Sequence, residues 1–142
     1  MSINRKTGLA LALLLLSPLA MAQTELLVGK FGHEHTAPKN TPVWEIKETS
    51  DDQYQFVTLG VGEPSQPAHE FSADERRKFW QTMWWPEDTS DAAICIGNER
   101  EIMCYVPPET RNGIDWLKDH KSHYFYYDSA AGVMETHKLT SD

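Results

Sequence analysis

The chain has 142 residues, of which 13 are Lys or Arg and 21 are Asp or Glu, so its formal net charge is −8 at pH 7. A chain of this length can bury one hydrophobic core of ordinary size and is too short for two typical domains. This net negative charge argues against binding to nucleic acid or anionic lipid, and it favours a basic partner at short range.

Residues 1–22 have the order of a cleavable secretory signal. Two basic residues precede an uncharged apolar stretch at residues 9–16, and the small-residue sequence Ala-Met-Ala at 20–22 suits a cleavage site. The apolar stretch is shorter than the roughly 20 residues that span a bilayer. We therefore predict export to the periplasm and a mature domain over residues 23–142, with 11 basic and 21 acidic residues and no membrane anchor.

The first elements of the mature chain are predicted to be strands. The apolar run at residues 26–28 suits an opening strand. Apolar residues then alternate on both sides of the polar turn at residues 49–53, which predicts a β-hairpin between residues 43 and 59.

A helix is predicted to begin at Ser72, because Ser72 and Glu75 have the spacing of a capping box. Pro86 should end it, since proline cannot continue a helix. Four residues at helical spacing form a stripe that we expect to pack on a sheet: Phe79, Trp80, Met83 and Trp84.

Residues 93–106 predict a second hairpin, with residues 98–101 at its tip. If Cys95 and Cys104 lie directly opposite each other, their Cβ atoms are close enough for a disulfide. These are the two cysteines of the chain, and an exported protein meets an oxidising compartment. We therefore predict a disulfide that staples this hairpin.

The C-terminal third predicts a second, short helix beginning at residues 107–109, because proline suits a first helical turn. Ile114, Trp116 and Leu117 should supply its buried side, and a last hairpin follows over residues 124–139. The predicted fold class is α+β: a single domain with a mainly antiparallel sheet built from hairpins and two helices packed on it.

The sequence contains no complete catalytic or cofactor-binding motif. His33 and His35 could present two imidazoles from an extended strand, but a zinc site needs further ligands, so we expect no metal and no cofactor. The chain has no G-x-S-x-G elbow and no Gly-rich phosphate loop, and we assign no catalytic residue. His123 and the other scattered histidines and carboxylates leave a small periplasmic hydrolase open as an alternative function.

Two surface features favour binding to another protein. Only one of the adjacent Trp84 and Trp85 can easily face the core, and we expect Trp85 to be the exposed one, beside an acidic cluster. The charged tip of the stapled hairpin could enter the cleft of another protein at low entropic cost. The predicted partner-binding residues are Trp84, Trp85, Glu87, Asp88, Asp91, Asn98, Glu99, Arg100 and Glu101.

We therefore expect a periplasmic inhibitor that binds a protein partner, most concretely an immunity protein. Its target would be a basic secreted toxin or a cell-wall-degrading enzyme, since an acidic surface steers a basic partner toward it. An envelope accessory or ligand-binding module is a further alternative.

Overall fold

The computed structural model describes residues 23–35, 38 and 40–140, in which eight antiparallel strands form a closed barrel. The strands follow one another around the barrel in chain order, and the last pairs with the first. Their bounds are β1 Gly29–His33, β2 Trp44–Ser50, β3 Gln53–Thr58, β4 Gln66–Glu70, β5 Ile94–Gly97, β6 Glu101–Tyr105, β7 Tyr124–Asp128 and β8 Gly132–Lys138.

Two of the connections between strands contain helices. Helix α1 (Ala73–Thr82) and a 3-10 helix (Glu87–Ala92) connect β4 to β5, and the four-residue helix α2 (Pro108–Arg111) lies between β6 and β7. A further 3-10 helix (Glu25–Leu27) precedes β1. Among residues 23–35, 38 and 40–140, no helix is long and apolar enough to cross a membrane. The predicted signal at residues 1–22 lies outside the described residues.

The closed barrel shows that the predicted α+β architecture, an open sheet with two helices packed on it, is wrong. One cause is β4, which carries Pro67 and has only Ala68 buried, so it lacks the apolar alternation that reveals a strand. This strand joins the predicted hairpins, because it pairs with β3 on one side and with β5 on the other. The other cause is the pairing of β1 with β8, which local patterns do not report.

Two smaller predictions also need correction. The predicted opening strand at residues 26–28 is largely a 3-10 helix, and β1 begins at Gly29. The predicted second helix is limited to α2, after which the chain continues in turns. Ile114 and Leu117 are buried as predicted, whereas Trp116 is 63% exposed.

Buried side chains form two separate apolar clusters, because alternate residues of β5, β6 and β7 point to opposite faces of the sheet. The barrel interior is filled by side chains, as expected for eight strands. Its buried members include Phe31, Trp44, Ile46, Tyr54, Phe56, Ile96, Met103 and Tyr126. The second cluster lies on the outer face of β5, β6 and β7, where α1 covers it. Its buried members include Phe79, Trp80, Trp85, Cys95, Ile102, Cys104 and Phe125.

The hairpin of β5 and β6 confirms the predicted register and disulfide. Cys95 pairs with Cys104, and Ile96 pairs with Met103. The two cysteines form a disulfide with a Cα–Cα distance of 4.2 Å, and both are fully buried in the outer cluster. A disulfide of this kind fits a protein that folds in an oxidising compartment.

Candidate protein-binding surface

The first turn of helix α1 is fixed by side-chain hydrogen bonds. The Ser72 hydroxyl accepts a hydrogen bond from the Glu75 amide at 3.2 Å, and the Glu75 carboxylate accepts one from the Ser72 amide at 3.0 Å. This confirms the predicted capping box. Phe79 and Trp80 then fix one face of the helix on the outer cluster.

The end of α1 has the hydrogen-bond pattern of a Schellman motif. The Trp84 amide donates to the Gln81 carbonyl at 3.2 Å, and the Trp85 amide donates to the Trp80 carbonyl at 3.1 Å. The Trp80 and Trp85 rings also pack together, with centroids 5.2 Å apart. Trp84 has a φ of +59°, so it occupies the left-handed position where glycine is usual.

This turn reverses the predicted roles of the two tryptophans. Trp84 is 94% exposed, whereas Trp85 is 6% exposed and packs against Phe79 and Phe125. The reason is that the helix ends at Thr82 and the left-handed residue redirects the chain. Residue 84 therefore leaves the predicted stripe, and residue 85 takes up the place in the core.

Two carboxylates follow the exposed Trp84 closely in the chain, at Glu87 and Asp88. Glu87 accepts a hydrogen bond from the Gln81 side-chain amide at 3.0 Å, and the carbonyl of the same Gln81 accepts the Trp84 amide. Gln81 therefore ties Glu87 to the turn that carries Trp84. Asp88, the next residue, is exposed. We call Trp84, Glu87 and Asp88 the Trp84 corner.

The charges around the Trp84 corner are unevenly balanced. Arg77 lies 3.2 Å from Asp74 and 3.8 Å from Asp91, so it is shared between two carboxylates. Across residues 23–35, 38 and 40–140, no cation forms an ion pair with Glu87 or Asp88. In the described part of the chain, both carboxylates of the corner are therefore left without an ion-pair partner.

The tip of the stapled hairpin is a rigid turn. The Asn98 side-chain oxygen accepts hydrogen bonds from the backbone amides of Arg100 and Glu101 at 2.9 and 3.0 Å. The side-chain nitrogen of Asn98 donates a hydrogen bond to the Pro67 carbonyl at 3.0 Å. Glu99 and Arg100 are exposed. The turn is therefore braced against β4, and two of its charged side chains face solvent.

Glu101, at the other end of the same turn, is 5% exposed. The Tyr126 hydroxyl, in the barrel interior, lies 3.3 Å from Glu101 and 3.2 Å from Asp128. Burial raises the pKa of Glu101. Burial, reinforced by the two neighbouring carboxylates, also raises the pKa of Tyr126. Glu101 thus belongs to a buried polar group in the barrel and not to the exposed tip.

The histidines considered for metal or acid–base chemistry have separate surroundings. His33 packs edge-on against Trp44, with ring centroids 4.8 Å apart, and His123 packs against Tyr105 at 5.9 Å. His35 Nε2 lies 2.6 Å from Glu135 Oε1. In the described part of the chain, no three His, Cys, Asp or Glu side chains are grouped so as to hold a metal.

Glu135 holds the connection between β6 and β7 against β8. The second carboxylate oxygen of Glu135 accepts hydrogen bonds from the backbone amides of Lys121 and Ser122 at 2.6 and 2.8 Å. The Glu135 side chain is only 2% exposed. Burial alone would raise the pKa of Glu135, but the hydrogen bonds from Ser122, His35 and Lys121 and the charge of His120 lower it. Both oxygens therefore serve the fold.

A surface pocket of about 390 Å³ adds to the acidic character of the molecule. It is lined by Tyr54 together with Thr24, Glu25, Glu48, Asp51, Asp52 and Glu70. Burial raises the pKa of Glu70, and the negative charge of Asp52 adds to this effect. The pocket collects like charges, which is consistent with an overall preference for basic partners.

No family model, curated protein or solved structure matches the chain. Its function is therefore argued from its own residues. The structure groups Trp84, Glu87 and Asp88 at one corner, places Asn98, Glu99 and Arg100 on a different connection, and buries Trp85 and Glu101. The left-handed conformation of Trp84 had only one local signal, a proline two residues further on that limits the helix.

Proposed function

We propose that this protein binds another protein and blocks it, as an inhibitor or immunity protein that neutralises a secreted toxin or a cell-wall-degrading enzyme in the periplasm. The observation that carries the proposal is Trp84, which is 94% exposed and has a left-handed backbone. A bulky residue in that conformation destabilises the folded protein, and the exposed indole buries almost no apolar surface that could offset this cost. Such strained surface positions cluster at binding sites.

The chemistry of the Trp84 corner supports a protein partner. Tryptophan is enriched among the residues that dominate binding energy, because its large ring buries much area at low entropic cost. Glu87 and Asp88, which closely follow Trp84 in the chain, would together with the net negative charge of the chain draw a basic protein toward this face. Enzymes that act on anionic envelopes are often basic, which matches this class of target.

The turn at Asn98 offers a second contact. Its hydrogen bonds to the Arg100 and Glu101 amides and to the Pro67 carbonyl hold the turn in one conformation. A preorganised turn loses little conformational freedom on binding. The exposed Glu99 and Arg100 could therefore reach into a cleft of the target without a large ordering cost.

The test is capture followed by an activity assay. The exported protein is immobilised and exposed to envelope extract and toxin lysates at low and high salt, and each captured enzyme is assayed with increasing inhibitor. We expect a basic enzyme whose activity falls on addition of the protein, and weaker capture at high salt or with Trp84→Ala. Failure to capture any enzyme at either salt concentration would contradict the proposal.

Trp116→Ala is the matched control, because Trp116 is another exposed tryptophan but lies on the connection between β6 and β7. If removal of either indole weakened capture equally, the interaction would be general adhesion to exposed rings. That result would argue against a specific role for the Trp84 corner.

A further inference from the structure

The Trp84 corner combines an open aromatic surface with unneutralised carboxylates. Given the proposed protein-binding function, on which this step rests, we infer that the partner contacts Trp84 with an arginine, whose guanidinium lies over the indole and pairs with Glu87. This assigns Trp84 and Glu87 as residues that determine the specificity of the interaction.

The position of Glu87 is the first reason. Its carboxylate is held by the Gln81 side chain at 3.0 Å, and the Gln81 carbonyl accepts the Trp84 amide at 3.2 Å. One residue thus links the Glu87 carboxylate to the backbone of Trp84. The carboxylate is already restrained in the free protein, so less rotamer entropy is lost when it meets a cation.

The balance of charge is the second reason. A partner that enclosed Trp84 in a purely apolar pocket would also withdraw Glu87 and Asp88 from water without a counter-charge, and neither has a cationic partner among the residues described. Desolvation of an unpaired carboxylate is costly. A cation at the interface removes this cost, so the corner selects against wholly apolar surfaces.

The third reason distinguishes arginine from lysine. A guanidinium is planar, stacks on aromatic rings and can form two parallel hydrogen bonds with a carboxylate, whereas an ammonium is a compact, strongly hydrated charge. Trp is the best aromatic acceptor for a cation. A ring that is 94% exposed, three residues before a carboxylate that Gln81 hydrogen-bonds, therefore suits arginine better.

The inference can be tested without the partner. Blocked Gly-Arg-Gly, Gly-Lys-Gly and Gly-Leu-Gly peptides are titrated into the full protein while the indole N–H signals are followed by NMR, and the Trp84 signal is identified by its loss in Trp84→Phe. We expect the arginine peptide to shift this signal most and the leucine peptide to leave it unchanged. Glu87→Gln should weaken the arginine interaction about two- to fivefold.

Glu99→Gln is the matched control, since it removes an exposed carboxylate on a different connection. An equal shift with the leucine peptide, or an arginine titration unaffected by Glu87→Gln, would overturn the inference. Either result would leave the proposed inhibitor function standing, because that function is tested separately by the capture and inhibition of an enzyme.

A second measurement uses the captured enzyme. Trp84→Phe keeps an aromatic face and Trp84→Leu keeps only an apolar one, so the inference predicts that the leucine variant loses more affinity than the phenylalanine variant. Equal losses in the two variants would show a purely apolar contact and refute the assignment of arginine.

Discussion

Replacement of Trp84 by glycine should make the protein more stable while abolishing its binding to a partner. A side chain in the left-handed conformation costs about 1–2 kcal/mol. Glycine removes that cost but loses about 0.5–1 kcal/mol through the greater freedom of the unfolded chain. Because the indole is 94% exposed, little apolar burial is lost. The difference between these ranges is about 0–1.5 kcal/mol, and their midpoints give an expected net gain in the free energy of unfolding of about 0.75 kcal/mol.

The informative comparison is between Trp84→Gly and Trp84→Ala. Both variants lack the indole, but alanine keeps the Cβ atom in the left-handed position, so only glycine should gain stability. Urea unfolding followed by far-UV circular dichroism measures this difference without depending on tryptophan fluorescence. The slope of the unfolding free energy against urea concentration should be the same in both variants. The melting temperature of the glycine variant should be about 2–6 °C above that of the wild type.

A glycine variant no more stable than the alanine variant would refute the claim that Trp84 is strained. The main support for the proposed function would then be lost, because an unstrained tryptophan needs no compensating role. Full inhibitory activity in the glycine variant would refute the binding role separately, whatever the change in stability.

Three further predictions concern buried groups. Glu101→Gln should stabilise the protein at neutral pH. The pKa of Glu101 is raised, so its contribution to stability is complete below its usual pKa of 4.5 and is lost as the pH rises through the raised value. Melting temperatures of the variant should accordingly change less between acid and neutral pH, and a variant less stable at neutral pH would contradict this. Glu135→Ala should lower the free energy of unfolding, measured with urea, by about 1–3 kcal/mol, because two partly buried backbone amides lose their acceptor. The pKa of Glu135 is lowered, so its contribution to the free energy of unfolding is present at neutral pH and is lost as the pH falls through that lowered value. A stability difference between wild type and Glu135→Ala that did not shrink in acid would count against this explanation. The Cys95–Cys104 disulfide is fully buried, so thiol assays should detect reduction only after urea is added, and rapid reduction of the folded protein would disprove that protection.

The sequence was most informative where neighbours in the chain are also neighbours in space. The capping box at Ser72 and the register of Cys95 with Cys104 were predicted correctly, because each depends on residues only a few positions apart. In the same way, Ile114 and Leu117 were correctly assigned to the core.

The sequence failed where a contact depends on the whole chain. Nothing local shows that β1 pairs with β8, and Pro67 disguises β4 as a loop, so the closed barrel was missed. The exposed tryptophan was misassigned for a different reason. A Schellman turn is usually recognised by its glycine, and here a tryptophan occupies that position.

The pairing of β1 with β8 also has a consequence for biosynthesis. Ribosomes make the chain from its N-terminus, so β8 is the last strand to become available, and until then both β1 and β7 have an unpaired edge. Open edges of this kind can pair with other chains and start aggregation. A nascent or truncated chain that lacks Gly132–Lys138 would therefore be the form that most needs a chaperone, whereas the finished barrel leaves neither of those edges open.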